Sequence, residues 1–144
     1  MEIVTNKSKL KKPTKPVSEG EDIAGIVDEM LSVLKGRMIV GIAANQLGFD
    51  KQIFAINMAG RSVIVMVNPV VTKEKGHQLR REACLSVPGQ QVLIRRPMQI
   101  TVQGWNQYFK RVKYRFSGFD ARKACHELDH LNGKLITDYA IPKS

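Results

Sequence analysis

The stretch Cys125-His126-Glu127-Leu128-Asp129-His130-Leu131 constrains this chain more than any other. Two of the three histidines fall there, four residues apart. On an α-helix that spacing puts both imidazoles on one face, about 6 Å apart along the axis. Rings so placed can grip one metal ion, and Glu127 can lean over its open side to take a proton from a bound water. His-Glu-x-x-His is a known zinc pattern for that reason. The competing reading is a surface helix that carries two histidines and some acids by coincidence. The helix is expected to open at Gly118 or Asp120 and to close at Asn132-Gly133.

A metal site of this kind needs a third ligand. Downstream of His130 the tail offers no His, Glu or Cys, and Asp138 is its only carboxylate. The ligand is therefore sought upstream, among Cys84, Cys125 and His77. Cys125 adjoins His126, so on a helix it points roughly 100° away from that ring. His77 sits in the polar run Lys73-Glu74-Lys75-Gly76-His77-Gln78, which reads as an exposed turn. Cys84 lies in Glu82-Ala83-Cys84-Leu85-Ser86-Val87-Pro88-Gly89, just before a turn. As a thiolate it would complete a Cys-His-His set with one position left for water.

A length of 144 residues suits one domain, 1–144, with a real core. No apolar run is long enough to span a bilayer. Met1 to Lys12 has no apolar signal core, and two distant cysteines fit a reducing compartment, so a cytoplasmic location is expected. The net charge of +10 favours attraction to a polyanionic particle such as the ribosome. No RNA-reading motif accompanies it, so no specific nucleic acid is expected. A monomer is expected.

The Lys- and Pro-rich segment Lys7 to Pro16 reads as an extended or looping entry. Ser18-Glu19-Gly20-Glu21 has the form of a capping box. Ile23, Ile26, Val27, Met30, Leu31 and Leu34 then recur at helical spacing, with Gly36 placed to stop the helix. In Val40-Gly41-Ile42-Ala43-Ala44-Asn45-Gln46-Leu47-Gly48 the small residues let the backbone pass close to a ligand or to the central helix. Strands are expected over 52–57, 62–68, 90–95, 99–105 and 108–116, with turns around Gly60 and at Asn106-Gln107. Residues 70–81 read as a polar connection or short strand, and 135–141 end the chain. In the last strand Val112, Tyr114 and Phe116 face one way, and Arg111, Lys113 and Arg115 the other. The fold class expected is α+β, with antiparallel β-sheets packed around a central helix that carries the His-Glu-x-x-His pattern and the first helix outside.

Taken together, Gly41-Ile-Ala-Ala-Asn-Gln46, Glu82-Ala-Cys-Leu-Ser86 and His126-Glu-Leu-Asp-His130 resemble, in order and spacing, the three signature motifs of the peptide deformylases. Lys15-Pro16-Val17, Asn68-Pro69, Leu131-Asn132-Gly133-Lys134-Leu135 and Asp138-Tyr139 also look like that family, so the resemblance covers nearly the whole chain. It implies an enzyme that removes the formyl group from the N-terminal formyl-methionine of new polypeptides and releases formate. It implies one divalent metal ion, usually ferrous iron, with zinc, nickel or cobalt able to substitute. Matched by position, Cys84, His126 and His130 would be the ligands and Glu127 the general base and later acid. The Gln46 side chain and the Leu85 N–H would hold the developing oxyanion. Val40, Gly41 and Glu82 would bind the peptide, laid alongside as an added strand. Asp129 would orient a ligand imidazole from outside the coordination sphere.

Departures from the pattern stand at Ile39 and Ala83, where the family has Gly, and at Cys125, where it has Gln. Arg122 and Lys123 replace apolar residues that line the methionine pocket; their stems can still line it. The C-terminal helix with which many bacterial members dock on the ribosome is expected to be lacking, as in the short forms carried by some bacteriophages. Two rival readings remain. One is a small metallopeptidase; the other is a non-catalytic basic binding protein whose metal is closed off by a fourth protein ligand.

Overall fold

The run Ile53-Phe54-Ala55-Ile56 lacks polar alternates because both faces of its strand are covered. The computed structural model describes residues 2–58 and 62–139. In chain order they form α1 (Lys7–Leu10), α2 (Ala24–Arg37), β1 (Gly41–Ala43), β2 (Ile53–Asn57), β3 (Val63–Lys75), β4 (Gln78–Cys84), β5 (Val87–Arg96), β6 (Gln99–Trp105), β7 (Arg111–Ser117) and α3 (Phe119–Leu131). Two short 3-10 turns, Ala44–Leu47 and Ile136–Tyr139, complete the set. Five strands pair in the order β1-β2-β3-β6-β7, antiparallel throughout, and β4 and β5 form a separate antiparallel pair. This is the mixed helix and antiparallel-sheet class expected from the sequence.

The larger sheet is a filling between two helices. Ile42, Ile53, Ala55 and Val67 project to one side and pack with Val27, Met30, Val33 and Leu34 of α2. Ala43, Phe54, Ile56, Met66, Ile100, Val102 and Phe116 project to the other and pack with Ala121, Ala124, Leu128 and Leu131 of α3. The side chains alternate because successive residues of a strand point to opposite faces. A third cluster, Leu10, Val87, Ile94, Leu135 and Ile136, ties α1 and the last 3-10 turn to β5.

Several local expectations are corrected. Ser18 and Glu21 form a turn, with Glu21 N–H donating to Ser18 O at 3.0 Å and Ser18 N–H to the Glu21 carboxylate at 3.2 Å. The helix itself starts at Ala24, whose N–H donates to Asp22 Oδ1 at 3.1 Å. Gly36 lies inside α2, and Met38 closes it in the left-handed conformation at φ 52°. Within the entry segment Lys7–Leu10 is helical, capped by Asn6, whose side chain accepts from Lys9 N–H. Residues 70–81 are not a connection: β3 runs on to Lys75 and β4 starts at Gln78. The amphipathic pattern hides this because β3 carries bulges, one across Asn68-Pro69 where proline has no N–H to give the ladder. β5 starts at Val87, three residues before the strand expected there. The hairpin loop spans 106–110 instead of two residues, because Asn106 Oδ1 accepts from both Tyr108 N–H and Lys110 N–H and Phe109 turns left-handed at φ 60°. The turn expected at Gly60 and the chain end beyond Tyr139 lie outside the described residues.

α3 closes as its sequence indicates. Asn132 caps it, and Gly133 follows at φ 75°, where a Cβ would run into the backbone of Lys11. Phe54, fully buried between the sheet and α3, tests the packing. Phe54→Ala should cost about 3–5 kcal/mol in urea unfolding and lower Tm by about 10 °C. A loss under about 1 kcal/mol would contradict the placement of this ring in the core.

Candidate active site and metal centre

Two elements deliver three ligating atoms to one point. α3 presents His126 and His130 from successive turns, and the end of β4 brings Cys84. Cys84 Sγ lies 3.2 Å from His130 Nε2, which lies 3.3 Å from His126 Nε2. Among the described residues this is the one cluster of three such donors. Cys125 and His77 are not part of it, although the sequence left all three candidates open. Burial pushes the Cys125 thiol up to about 12, so it remains protonated near neutral pH.

The electrostatics suit a cation. Burial disfavours charge on His126, but the Cys84 sulfur and the Glu82 and Glu127 carboxylates overcome it and raise the imidazole to about 10. Burial, helped by the charge on His126, drives His130 down to about 3. A thiol and two imidazoles at this spacing are also the mixed sulfur and nitrogen donors that a first-row divalent ion takes.

Glu127 sits beside this point, wholly buried, with Oε1 unpartnered by protein atoms. Burial pushes its carboxyl up to about 7, with His126 pulling the other way. Gly41 on β1 makes room for it: a Cβ there would collide with Glu127 Oε2. Gln46 comes from the 3-10 turn after β1 and is fixed at both ends. Its Oε1 accepts from Ala43 N–H at 2.9 Å, and its Nε2 donates to Ser86 Oγ at 3.1 Å and approaches Cys84 Sγ at 3.5 Å.

Behind His126 runs a chain of buried charges. His126 Nδ1 meets Glu82 Oε1 at 3.0 Å. Glu82 receives Arg96 through two parallel bonds, 2.9 Å from Nε and 2.8 Å from Nη2. Arg96 Nη1 also pairs with Asp129, and Tyr139 OH donates to the same carboxylate at 2.7 Å. The geometry therefore gives Glu82 the imidazole contact expected of Asp129. Asp129 reaches that ring only through Arg96, and the Glu82 carboxylate is spent on His126 and Arg96, not left open for a peptide. Arg96 had no signal in the sequence, since an Arg at a strand end looks like an ordinary surface residue; Tyr139 was marked only by the resemblance of Asp138-Tyr139 to the family, without a role.

The site opens into a groove of about 990 Å³. Val40, Gly41 and Leu85 lie along it, Leu85 being 42% exposed. Arg122 and Lys123 both line the groove beside Phe119. Lys123 is buried, paired with Asp120 at 2.7 Å, and donates to the Asn57 carbonyl. Arg122 donates to Arg81 O at 3.0 Å.

A family model described as polypeptide deformylase matches residues 1–144. The chain belongs to the polypeptide deformylase family. It is an enzyme of that kind, a hydrolase that removes N-formyl groups from nascent peptides. A peptide deformylase of Halothermothrix orenii is 37% identical over 134 residues, covering 92% of this chain and 87% of that protein. The solved peptide deformylase of Legionella pneumophila superposes with a TM-score of 0.92 at 30% identity, over 99% of this chain and 86% of that one. A deformylase from a Vibrio parahaemolyticus bacteriophage, solved with actinonin, gives 0.88 at 30% identity, over 94% and 100%. Deformylases are metal-dependent, in keeping with the donor cluster here. Among the described residues no helix is long and apolar enough to cross a membrane.

The Glu82 network makes a prediction about acid. Burial works against the Glu82 anion, but hydrogen bonds and charge from Arg96 and His126 outweigh it and hold the carboxyl at about 2, below its ordinary 4.5. A depressed folded pKa stabilises the fold above 4.5, and that stabilisation drains away as pH falls toward 2. In urea unfolding of metal-free protein, Glu82→Gln should be less stable than the parent near neutral pH, with the gap closing across that window. A gap that does not change with pH would contradict it.

Proposed function

We propose that this deformylase hydrolyses N-formylmethionyl peptides through one divalent metal ion held by Cys84, His126 and His130. The reading rests above all on the convergence of those three atoms beside a buried, unpartnered carboxylate. Iron(II) is the native metal of this reading, with zinc, nickel or cobalt able to take its place. When bound, such an ion supplies a water acidic enough to be deprotonated near neutral pH and a Lewis-acid contact for the formyl oxygen.

The remaining work belongs to the chain. Glu127 accepts the proton of the attacking water, and a carboxyl lifted to about 7 is matched to that task. The same carboxyl then delivers the proton to the departing amine nitrogen, and formate leaves. Gln46 Nε2 and the Leu85 N–H donate to the formyl oxygen as charge builds there. Gln46 needs no reorganisation, because its amide is already held by Ala43 and Ser86. The peptide lies against β1, an edge strand of the larger sheet, with the Val40 and Gly41 backbone offering the hydrogen bonds. Phe119 and the stems of Arg122 and Lys123 provide apolar contact for the methionine side chain. Glu82, backed by Arg96 and Asp129, fixes the His126 ring so that Nε2 faces the metal. The reading places all of this in one catalytic domain, 1–144, acting as a monomer in the cytoplasm.

Products separate the readings. Supplied with formyl-Met-Ala-Ser, the protein should release formate and leave both peptide bonds intact; cleavage of the peptide would favour a metallopeptidase. Glu127→Gln should keep its metal, measured by elemental analysis, while kcat falls by about 10²–10⁴. Full turnover in that variant would remove Glu127 from the chemistry.

A further inference from the structure

The face of the larger sheet turned away from α3 is not fully used by α2. Beyond the α2 contact it carries an unmixed set of cations. On β7, an edge strand, Arg111, Lys113 and Arg115 occupy successive outward positions. The register places them opposite Trp105, Gln103 and Thr101 of β6. On the far side of β6, Lys73 pairs with Thr101 and Lys75 with Gln99, so both join the same face. All five cations are exposed. The only carboxylate in these three strands is Glu74, and its partner Ile100 belongs to the α3 core. Glu74 therefore points the other way, and its charge is felt by Cys125 on α3. Five positive charges thus share one surface with no acid from their own strands to offset them.

The chemistry of that surface selects among polyanions. A small cavity of about 60 Å³ lies between Lys73, Lys75 and Arg115, and it leaves Arg111 and Lys113 outside it. The surface lacks the apolar ridge that a membrane-seated element pushes into lipid; Val63 and Val70 are the only exposed large aliphatic residues on these strands among the described residues. Alternate residues of a strand repeat every ~7 Å, so the β7 cations form a linear row suited to a chain of phosphates. Aromatic groups stand at one end of the row. Arg111 lies over the Trp105 ring at 5.6 Å, and Tyr108 in the adjoining loop is 74% exposed. A basic strip ending in an accessible aromatic ring is the arrangement that holds an unpaired nucleic-acid strand, the phosphates on the cations and a base on the ring.

We infer that the outward face of β3, β6 and β7 binds single-stranded RNA through its phosphate backbone, without reading sequence, with Tyr108 stacking on a base. The groove opens beside α3, on the opposite side of the sheet, so RNA and a formylated peptide can be held at once.

Fluorescence anisotropy with a labelled oligouridylate tests this on the intact chain. Affinity should fall with salt at a slope of about −2 to −3.5, from three to five phosphate contacts. The triple variant Arg111→Gln, Lys113→Gln, Arg115→Gln should lose affinity by about tenfold or more at low salt, and Tyr108→Ala by a smaller factor. Both should release formate from formyl-Met-Ala-Ser at the parent's rate, which also shows that they fold. Lys7→Gln, Lys9→Gln, Lys12→Gln removes the same charge from α1 and its end, and should leave RNA affinity within about twofold of the parent. Equal losses in the two triple variants would reduce the effect to net charge and overturn the inference. So would binding to phosphatidylserine vesicles or to polyglutamate as tight as binding to RNA.

Discussion

The Arg96 guanidinium between two carboxylates is the interaction on which the site depends. It is 3% exposed, yet it carries a full charge and joins β5 to the end of β4 through Glu82 and to α3 through Asp129. Burying such a group without partners would cost several kcal/mol, so its place is fixed by the need to satisfy every N–H. The consequence for function lies one bond further on. Glu82, held rigid by two bonds from Arg96, holds His126 by Nδ1, and the opposite nitrogen is left to face Cys84 and His130. An exposed salt bridge could not orient the ring so well, because water would compete for each of its members.

The sheet supplies the second constraint. β1 and β2 are sandwiched between α2 and α3, so their residues must be apolar on both faces and small where α3 comes close. Gly41 is where these demands meet the chemistry. Its missing side chain lets the Glu127 carboxylate sit against β1, the strand proposed to receive the peptide. In the proposed reading, base and substrate backbone are thereby brought to one place by the absence of a Cβ. The same burial that makes Glu127 reluctant to ionise makes it a useful proton carrier, since a carboxyl near 7 can both take and return a proton.

How much of this could be read from the residues varies with the range of the interaction. The His126 and His130 pair follows from helical geometry within one element, and the last strands follow from alternation, so both were legible. Cys84 stood out because the tail offered no ligand, Cys125 points away from the imidazoles and His77 lies in a polar run, and its motif then kept company with two others. The division of labour between Glu82 and Asp129 was not legible. It depends on Arg96, 14 residues from Glu82 and 33 from Asp129, and nothing local marks an arginine that will be buried. The length of β3 was hidden for a different reason: bulges at Asn68-Pro69 and beyond break the period on which strand recognition relies. Gly36 was misleading because a left-handed Met38, which intrinsic preference disfavours, ends the helix instead.

The central claim is that one sulfur and two imidazole nitrogens hold a metal ion and leave it open to water. X-ray absorption at the metal edge of anaerobically purified protein addresses it directly. One ion per chain is expected, with a single sulfur at about 2.3 Å and two imidazoles, and with the sulfur contribution abolished in Cys84→Ala. A protein that purifies without stoichiometric metal, or whose ion shows no sulfur or a fourth protein ligand in place of water, would contradict the account.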